Sequence, residues 1–163
     1  LTSIQLSAAE VAAIAEVETT SNILQLMTRL THLRFAAIAK VTDQRWVACA
    51  VDDEIHFGVG PGDEMAVELT ICNEVRQEHS AIVISCVSDD PRFKDHPLPK
   101  RYGFESYLSL PIMLSDGTFF GTLCGLDPLP AKLDDRDLIQ TLEIFARLIG
   151  TTLDLHARVA EAS

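Results

Sequence analysis

Apolar residues near the start of the chain recur at helical spacing. Val11, Ile14, Val17, Leu24, Met27 and Leu30 fall within Ser7–Leu33, a stretch without Gly or Pro. Ser7 with Glu10 three residues on reads as a capping box that satisfies the free N–H groups of a first helical turn. The pattern therefore predicts a long amphipathic helix. The period then shortens: Arg34–Val41 and Arg45–Val51 are rich in Val, Ala, Ile, Phe and Trp and flank the polar turn Thr42-Asp43-Gln44, which predicts an antiparallel hairpin. A short extended piece at Ile55–Phe57 leads into Gly58-Val59-Gly60-Pro61-Gly62-Asp63, read as a loop. Val67–His79, with Val67, Ile71 and Val75 on one face, predicts a helix, and Ala81–Ile84 a strand.

Periodicity is lost between Ser85 and Phe104, where Asp89-Asp90-Pro91, His96-Pro97 and Leu98-Pro99 interrupt any long element. An irregular connection of this length inside a compact domain tends to be functional, and it reads as an irregular, partly helical, lid-like segment. Ser106–Leu114 and Thr118–Asp127 form the clearest strand pair, joined at Ser115-Asp116-Gly117, where Asp-Gly supplies the positive φ of a tight turn. Pro111 cannot donate to a ladder, so it requires an edge position or a bulge. Asp127-Pro128-Leu129-Pro130 closes the sheet. Asp134-Asp135 then opens a second long helix with Leu138, Leu142, Phe145, Ile149 and Leu153 in one stripe. Helices at both ends of a run of hairpins describe an α+β domain with a mostly antiparallel sheet, a single domain over 1–163. No β-α-β alternation supports a dinucleotide fold.

Charge and composition narrow the function. With 24 Asp or Glu against 13 Lys or Arg the net charge is -11, which repels a phosphate backbone; no basic stripe offsets it, so nucleic acid is excluded as a partner. The apolar runs are too short to span a bilayer, and the first residues lack a cationic start and cleavage site, so no membrane contact is expected of this segment. With 47% apolar residues the chain can build a core without a disulfide or a metal. The four cysteines, Cys49, Cys72, Cys86 and Cys124, contain no C-x-x-C pair, and three sit in apolar stretches; a reducing, cytoplasmic compartment fits.

The glycines of Gly58–Gly62 match neither phosphate-loop spacing, and Pro61 removes a donor a phosphate would need. His32, His56, His79, His96 and His156 are scattered without paired metal-ligand spacing. No serine elbow is present, and Cys72 has no His at a defined offset. Asp52-Asp53-Glu54 and Asp134-Asp135 read as solvated or capping groups, whereas Asp90 heads the irregular segment and could orient a polar ligand group.

The strings Asp89-Asp90-Pro91-Arg92-Phe93-Lys94-Asp95-His96-Pro97, Gly103-Phe104-Glu105-Ser106-Tyr107-Leu108-Ser109-Leu110-Pro111-Ile112 and Asp116-Gly117-Thr118-Phe119-Phe120-Gly121-Thr122-Leu123-Cys124-Gly125-Leu126-Asp127-Pro128 together resemble the second half of a GAF domain. The variety is that of bacterial sensor histidine kinases and related signalling proteins. Trp46–Val51 and Thr70-Ile71-Cys72 are similar to first-half segments, so the likeness runs from about Ala9 to Leu155. It implies a central antiparallel sheet, long terminal helices on one face that carry a signal, and a ligand pocket under helices and loops on the other. Carried onto this chain, it implies a pocket lined or bordered by Cys72, Asp90, Phe93, Tyr107, Ser109 and Cys124.

The implied function is non-catalytic: sensing of an unidentified small molecule, relayed to a covalently linked output domain such as a histidine kinase in a two-component system. A homodimer is expected through the terminal helices, with Leu138, Leu142, Phe145, Ile149 and Leu153 as its candidates. The Asn-Lys-Phe-Asp-Glu signature of cyclic-nucleotide-binding relatives is absent, which speaks against cyclic GMP. Pro99-Lys100-Arg101-Tyr102-Gly103 lacks the Cys to which relatives attach bilin, so no cofactor is assigned. Two alternatives stay open: a thiol-based redox enzyme of the GAF-type methionine sulfoxide reductase kind, and a ligand-free dimerisation spacer.

Overall fold

A computed structural model describes residues 18–67 and 70–162. The expected Ser7–Glu10 capping box and the stretch to Val17 lie outside the described residues. Helix α1 spans Glu18–Thr31 and buries Ile23, Leu24 and Met27. It ends where His32 turns to φ 64°, with the Thr31 hydroxyl donating to the Met27 carbonyl at 2.6 Å and accepting from Leu33 N at 3.1 Å. Strands β1 (Phe35–Val41) and β2 (Arg45–Asp53) follow as expected, and Thr42 Oγ1 closes their turn by accepting from Arg45 N at 3.0 Å.

The third strand is not at Ile55–Phe57. Those residues bend around Asp53, whose carboxylate accepts from Ile55 N, Phe57 N and Gly58 N at 3.0–3.1 Å, and β3 forms later at Glu64–Ala66 against Arg45–Val47. Gly60 N donates to Asp63 Oδ2 at 2.8 Å, so donors of this Gly loop are taken by the chain's own acids. The helix expected over Val67–His79 is shorter: α2 spans Cys72–Glu78. Strand β4 is Ile82–Ile84.

The irregular segment holds more order than its prolines suggested. A 3-10 turn at Val87–Asp89 is followed by α3, Pro97–Tyr102. Pro97 and Pro99 occupy the first turn of that helix, where missing N–H groups would have had no intrahelical partner. His96 caps it, its Nδ1 accepting from Leu98 N at 3.1 Å. Strands β5 (Ser106–Met113) and β6 (Phe119–Asp127) turn at Gly117, φ 86°. Strand β4 pairs only with Tyr107–Ser109, leaving that flank of β5 open at Pro111, and the register shifts between Ile112 and Met113. Helix α4 spans Arg136–Ala162, with Asp135 Oδ1 accepting from Asp137 N and Leu138 N at its start.

Among the described residues, the six strands form one antiparallel sheet in the order β3-β2-β1-β6-β5-β4. Alternation along the central strands splits the core in two. Ala36, Ile38, Leu108, Leu110, Ile112 and Leu123 face α1 and α4; Phe35, Ala37, Ala39, Tyr107, Cys124 and Leu126 face α2 and α3. The junction of α1 and β1 is tied to the end of β6 by Arg34, whose Nε and Nη2 meet the Asp127 carboxylate at 2.8 and 3.0 Å.

The leucine stripe of α4 requires a correction. Leu142 and Ile149, expected at a dimer interface, are buried against the sheet of their own chain, and Leu138, Phe145 and Leu153 pack half-buried on the same cluster. An amphipathic helix on a sheet turns its most continuous apolar stripe inward. Among the described residues of these two helices, the large apolar side chains left outside are Ile144, Leu148 and Leu155 on α4 and Leu26 and Leu30 on α1.

Candidate functional site

Between the sheet and the cover formed by α2, α3 and the loop before β3 lies a cavity of about 30 Å³. Its wall is Phe35, Trp46, Phe57, Met65, Thr70, Cys72, Leu98, Tyr107, Cys124 and Leu126. The alanines Ala37, Ala39 and Ala48 keep the β1–β2 floor low, and aromatic rings fill most of the space above it. Phe57 sits 4.9 Å from both Phe35 and Tyr102, centroid to centroid, and Phe104 packs on Tyr107 at 5.7 Å. Ligand pockets run to about 300–1,000 Å³, so the closed cavity has room for little more than water.

On the outer side of the same wall is an open cleft of about 310 Å³ lined by Glu64, Met65, Ala66, Pro97, Leu98, Arg101 and Tyr102. Met65 and Leu98 belong to both spaces and separate them. The Tyr102 hydroxyl reaches Met65 Sδ at 3.8 Å.

The polar centre of the cavity is the Cys72 sulfur at the start of α2. Tyr107 Oη lies 3.0 Å from it, Thr122 Oγ1 3.2 Å and Ser109 Oγ 3.6 Å. Strand register makes this convergence: Ser109 pairs with Cys124 across β5 and β6, and Tyr107, Ser109, Thr122 and Cys124 share one face. Burial pushes the Cys72 thiol up, but hydrogen bonds from Cys124, Thr122, Tyr107 and Ser109 outweigh it and bring it down to about 6. Cys124 moves the other way, well above the usual thiol range, because it shares its proton with Cys72 and is itself buried. Burial likewise holds Tyr107 protonated.

Of the expected site residues, Cys72, Tyr107 and Cys124 line the cavity and Ser109 borders it through Cys72. Phe93 is buried in the same cluster but stands behind the lining. Asp90 is elsewhere: its Oδ1 accepts from Arg92 N and Phe93 N at 2.9 and 3.2 Å, so it shapes a turn and does not face the cavity. Sequence reading missed Trp46, Phe57, Met65, Leu98 and Thr122. Trp46 had a usable signal, since it alternates with Ala48 on the strand, but its neighbours depend on pairing that spacing alone does not give. Among the described residues no cluster of three His, Cys, Asp or Glu side chains could hold a metal ion, and no helix is long and apolar enough to cross a membrane.

A six-stranded antiparallel sheet with helices α1 and α4 on one face and a covered cavity on the other defines a small α+β domain. The family model described as GAF domain matches residues 16–153, and the chain belongs to the GAF domain family. No curated protein matches it. Among solved structures, a domain assigned to a two-component sensor histidine kinase of Sinorhizobium meliloti 1021 superposes with TM-score 0.63 at 17% identity, covering 91% of this chain and 99% of that one. The chromophore-binding domain of Stigmatella aurantiaca phytochrome P1 gives 0.65 at 11% identity over 86% of this chain; the chain spans 56% of that domain's length. A type II free methionine-R-sulfoxide reductase from Thermoplasma acidophilum gives 0.66 at 12% identity, covering 89% and 94%. At such identities these are likenesses of fold.

Proposed function

We propose that the chain is a non-catalytic, small-molecule-sensing domain of a bacterial signalling protein. In this reading, occupancy of the pocket shifts the packing of α1 and α4, which pass the change to a covalently linked output domain such as a histidine kinase, in the cytoplasm. The observation that carries it is the shared wall. Met65 and Leu98 line both spaces, and in this reading their movement joins the 30 Å³ cavity to the 310 Å³ cleft, a space at the lower end of the ligand range. Its chemistry suits a molecule with an apolar body against Trp46, Phe57 and Leu126 and one polar group, met by hydroxyls inside or by Arg101 at the mouth.

A second copy of the chain is the proposed partner. Leu26 and Leu30 with Ile144, Leu148 and Leu155 are exposed on two helices that touch each other, and their spacing suits a helix bundle between copies. The sulfoxide reductase alternative meets the same wall, since Cys72 lies behind Met65 and Leu98 and an amino acid would need them moved just as the sensed molecule does.

Trp46 is the sole Trp and lines the cavity, so its fluorescence reports occupancy. Native mass spectrometry of the purified chain, followed by a screen of small apolar acids and alcohols for a Trp46 emission change, tests the proposal. Binding that is lost in Leu98→Phe, which crowds the shared wall without adding a second indole, supports it. No bound mass and no emission change across the panel would leave the dimerisation spacer as the better reading.

A further inference from the structure

A neutral thiol has one hydrogen to give and is a weak acceptor, yet three hydroxyls surround Cys72 Sγ. That is more donor capacity than a buried structural cysteine uses, and it matches what a thiolate needs. The second thiol, Cys124, lines the same cavity on β6, cross-strand from Ser109, whose hydroxyl lies 3.6 Å from the Cys72 sulfur, so an attacking and a resolving sulfur share one small space. The cavity beside them admits a molecule of about water size. We propose that Cys72 and Cys124 form a peroxide-oxidised dithiol site, which closes to a disulfide joining α2 to β6. The site is independent of the ligand reading, because it needs neither the outer cleft nor an output domain.

The chemistry balances with hydrogen peroxide as oxidant. The Cys72 thiolate attacks one peroxide oxygen, the O–O bond breaks, and the departing hydroxide takes up the proton that Cys72 released, forming water. Cys72 is now a sulfenic acid, oxidised by two electrons, and the peroxide is reduced by two. Cys124 then attacks the Cys72 sulfur, the S–O bond breaks, and hydroxide leaves with the Cys124 proton as a second water. Tyr107 and Thr122 are placed to donate to the leaving oxygen, since their hydroxyl oxygens lie 3.0 and 3.2 Å from the sulfur that carries it. The other two cysteines serve as internal controls. Cys49 is buried on the opposite face of the sheet, under α1 and α4. Cys86 lies 3.5 Å from the Glu105 carboxylate, and burial, its hydrogen bond to Glu105 and the nearby Asp89 charge push its thiol up, away from the reactive form.

The test treats the folded chain with hydrogen peroxide, then denatures it, alkylates free thiols and maps them by mass spectrometry. The expected result is a loss of two hydrogens and a cross-linked peptide pair containing Cys72 and Cys124, with Cys49 and Cys86 still alkylated. In Cys124→Ser, Cys72 should accumulate as a sulfenic acid trapped by dimedone, whereas Cys72→Ser should leave Cys124 reduced. The cross-link in the unmodified chain does not depend on either variant folding. The proposal is overturned if Cys72 remains fully alkylatable at peroxide levels that oxidise Cys86, or if Cys72 pairs with a cysteine other than Cys124.

Discussion

Replacing Gly150 by Ala sets two effects of opposite sign against each other. In a helix interior the change is favourable by about 1 kcal/mol, because Gly loses more backbone freedom on folding. Gly150 is buried where α4 crosses the end of β5. A Cβ there would collide with the Met113 carbonyl oxygen, with Ile112 Cγ2 a further 3.7 Å neighbour. The obstacle is backbone, held in β5 beside its register shift, so it cannot rotate aside as a side chain would. Helix α4 must lift instead, loosening Leu142, Ala146 and Ile149 from the sheet. Overpacking of this kind costs about 1–3 kcal/mol. With an obstacle this rigid the upper figure applies, and after the propensity gain a net loss of about 2 kcal/mol remains. For a chain of this size that lowers the melting temperature by roughly 4–8 °C. Urea unfolding followed by circular dichroism should show a lower midpoint at unchanged slope. Thr151→Ala, exposed on the next residue, is the control and should be neutral or slightly stabilising. A Gly150→Ala midpoint equal to or above that of the unmodified chain would refute the close-contact reasoning, because propensity alone would then have decided the sign.

Asp127→Asn should destabilise by about 2 kcal/mol, since the carboxylate is 4% exposed and binds Arg34 through two charge-assisted bonds. Burial pushes the Asp127 carboxyl up, but Arg34 and the backbone N–H groups of Leu129 and Arg34 more than offset it, so its folded value lies below the usual range. The stabilisation is therefore present above about pH 4 and is lost as pH falls through the folded value; melting curves of Asp127→Asn should vary less over that acid window. Leu142→Ala should cost about 2–5 kcal/mol in urea unfolding, as expected for a fully buried Leu. Leu148→Asp should leave thermal stability of the isolated chain nearly unchanged and shift sedimentation at micromolar concentration toward the monomer. Identical sedimentation of Leu148→Asp and the unmodified chain would remove the outer helix face as the interface.

What the sequence disclosed followed from how local each feature is. The β5–β6 hairpin was legible because Asp116-Gly117 and the flanking alternation act within a few residues, and the α4 start because Asp135 caps its own next turn. Strand β3 was hidden because it has three residues and takes its place from pairing with Arg45–Val47, a partner that no local pattern names. Helix α3 was legible only as partly helical character somewhere in the irregular segment, its place obscured by prolines that oppose a helix in general and suit its first turn in particular. The site divides the same way. Cys72 and Cys124 could be singled out, but their meeting with Tyr107, Ser109 and Thr122 depends on register across two strands and on where α2 comes down over them. The α4 stripe shows the opposite hazard, a clear pattern assigned to the wrong side. Periodicity reports that a helix has an apolar face, and packing on a sheet takes the most continuous face first. The proposed interface between copies therefore falls to the weaker remainder, Ile144, Leu148 and Leu155, which shares its face with charged and Thr side chains and becomes distinct only once the inward stripe is subtracted.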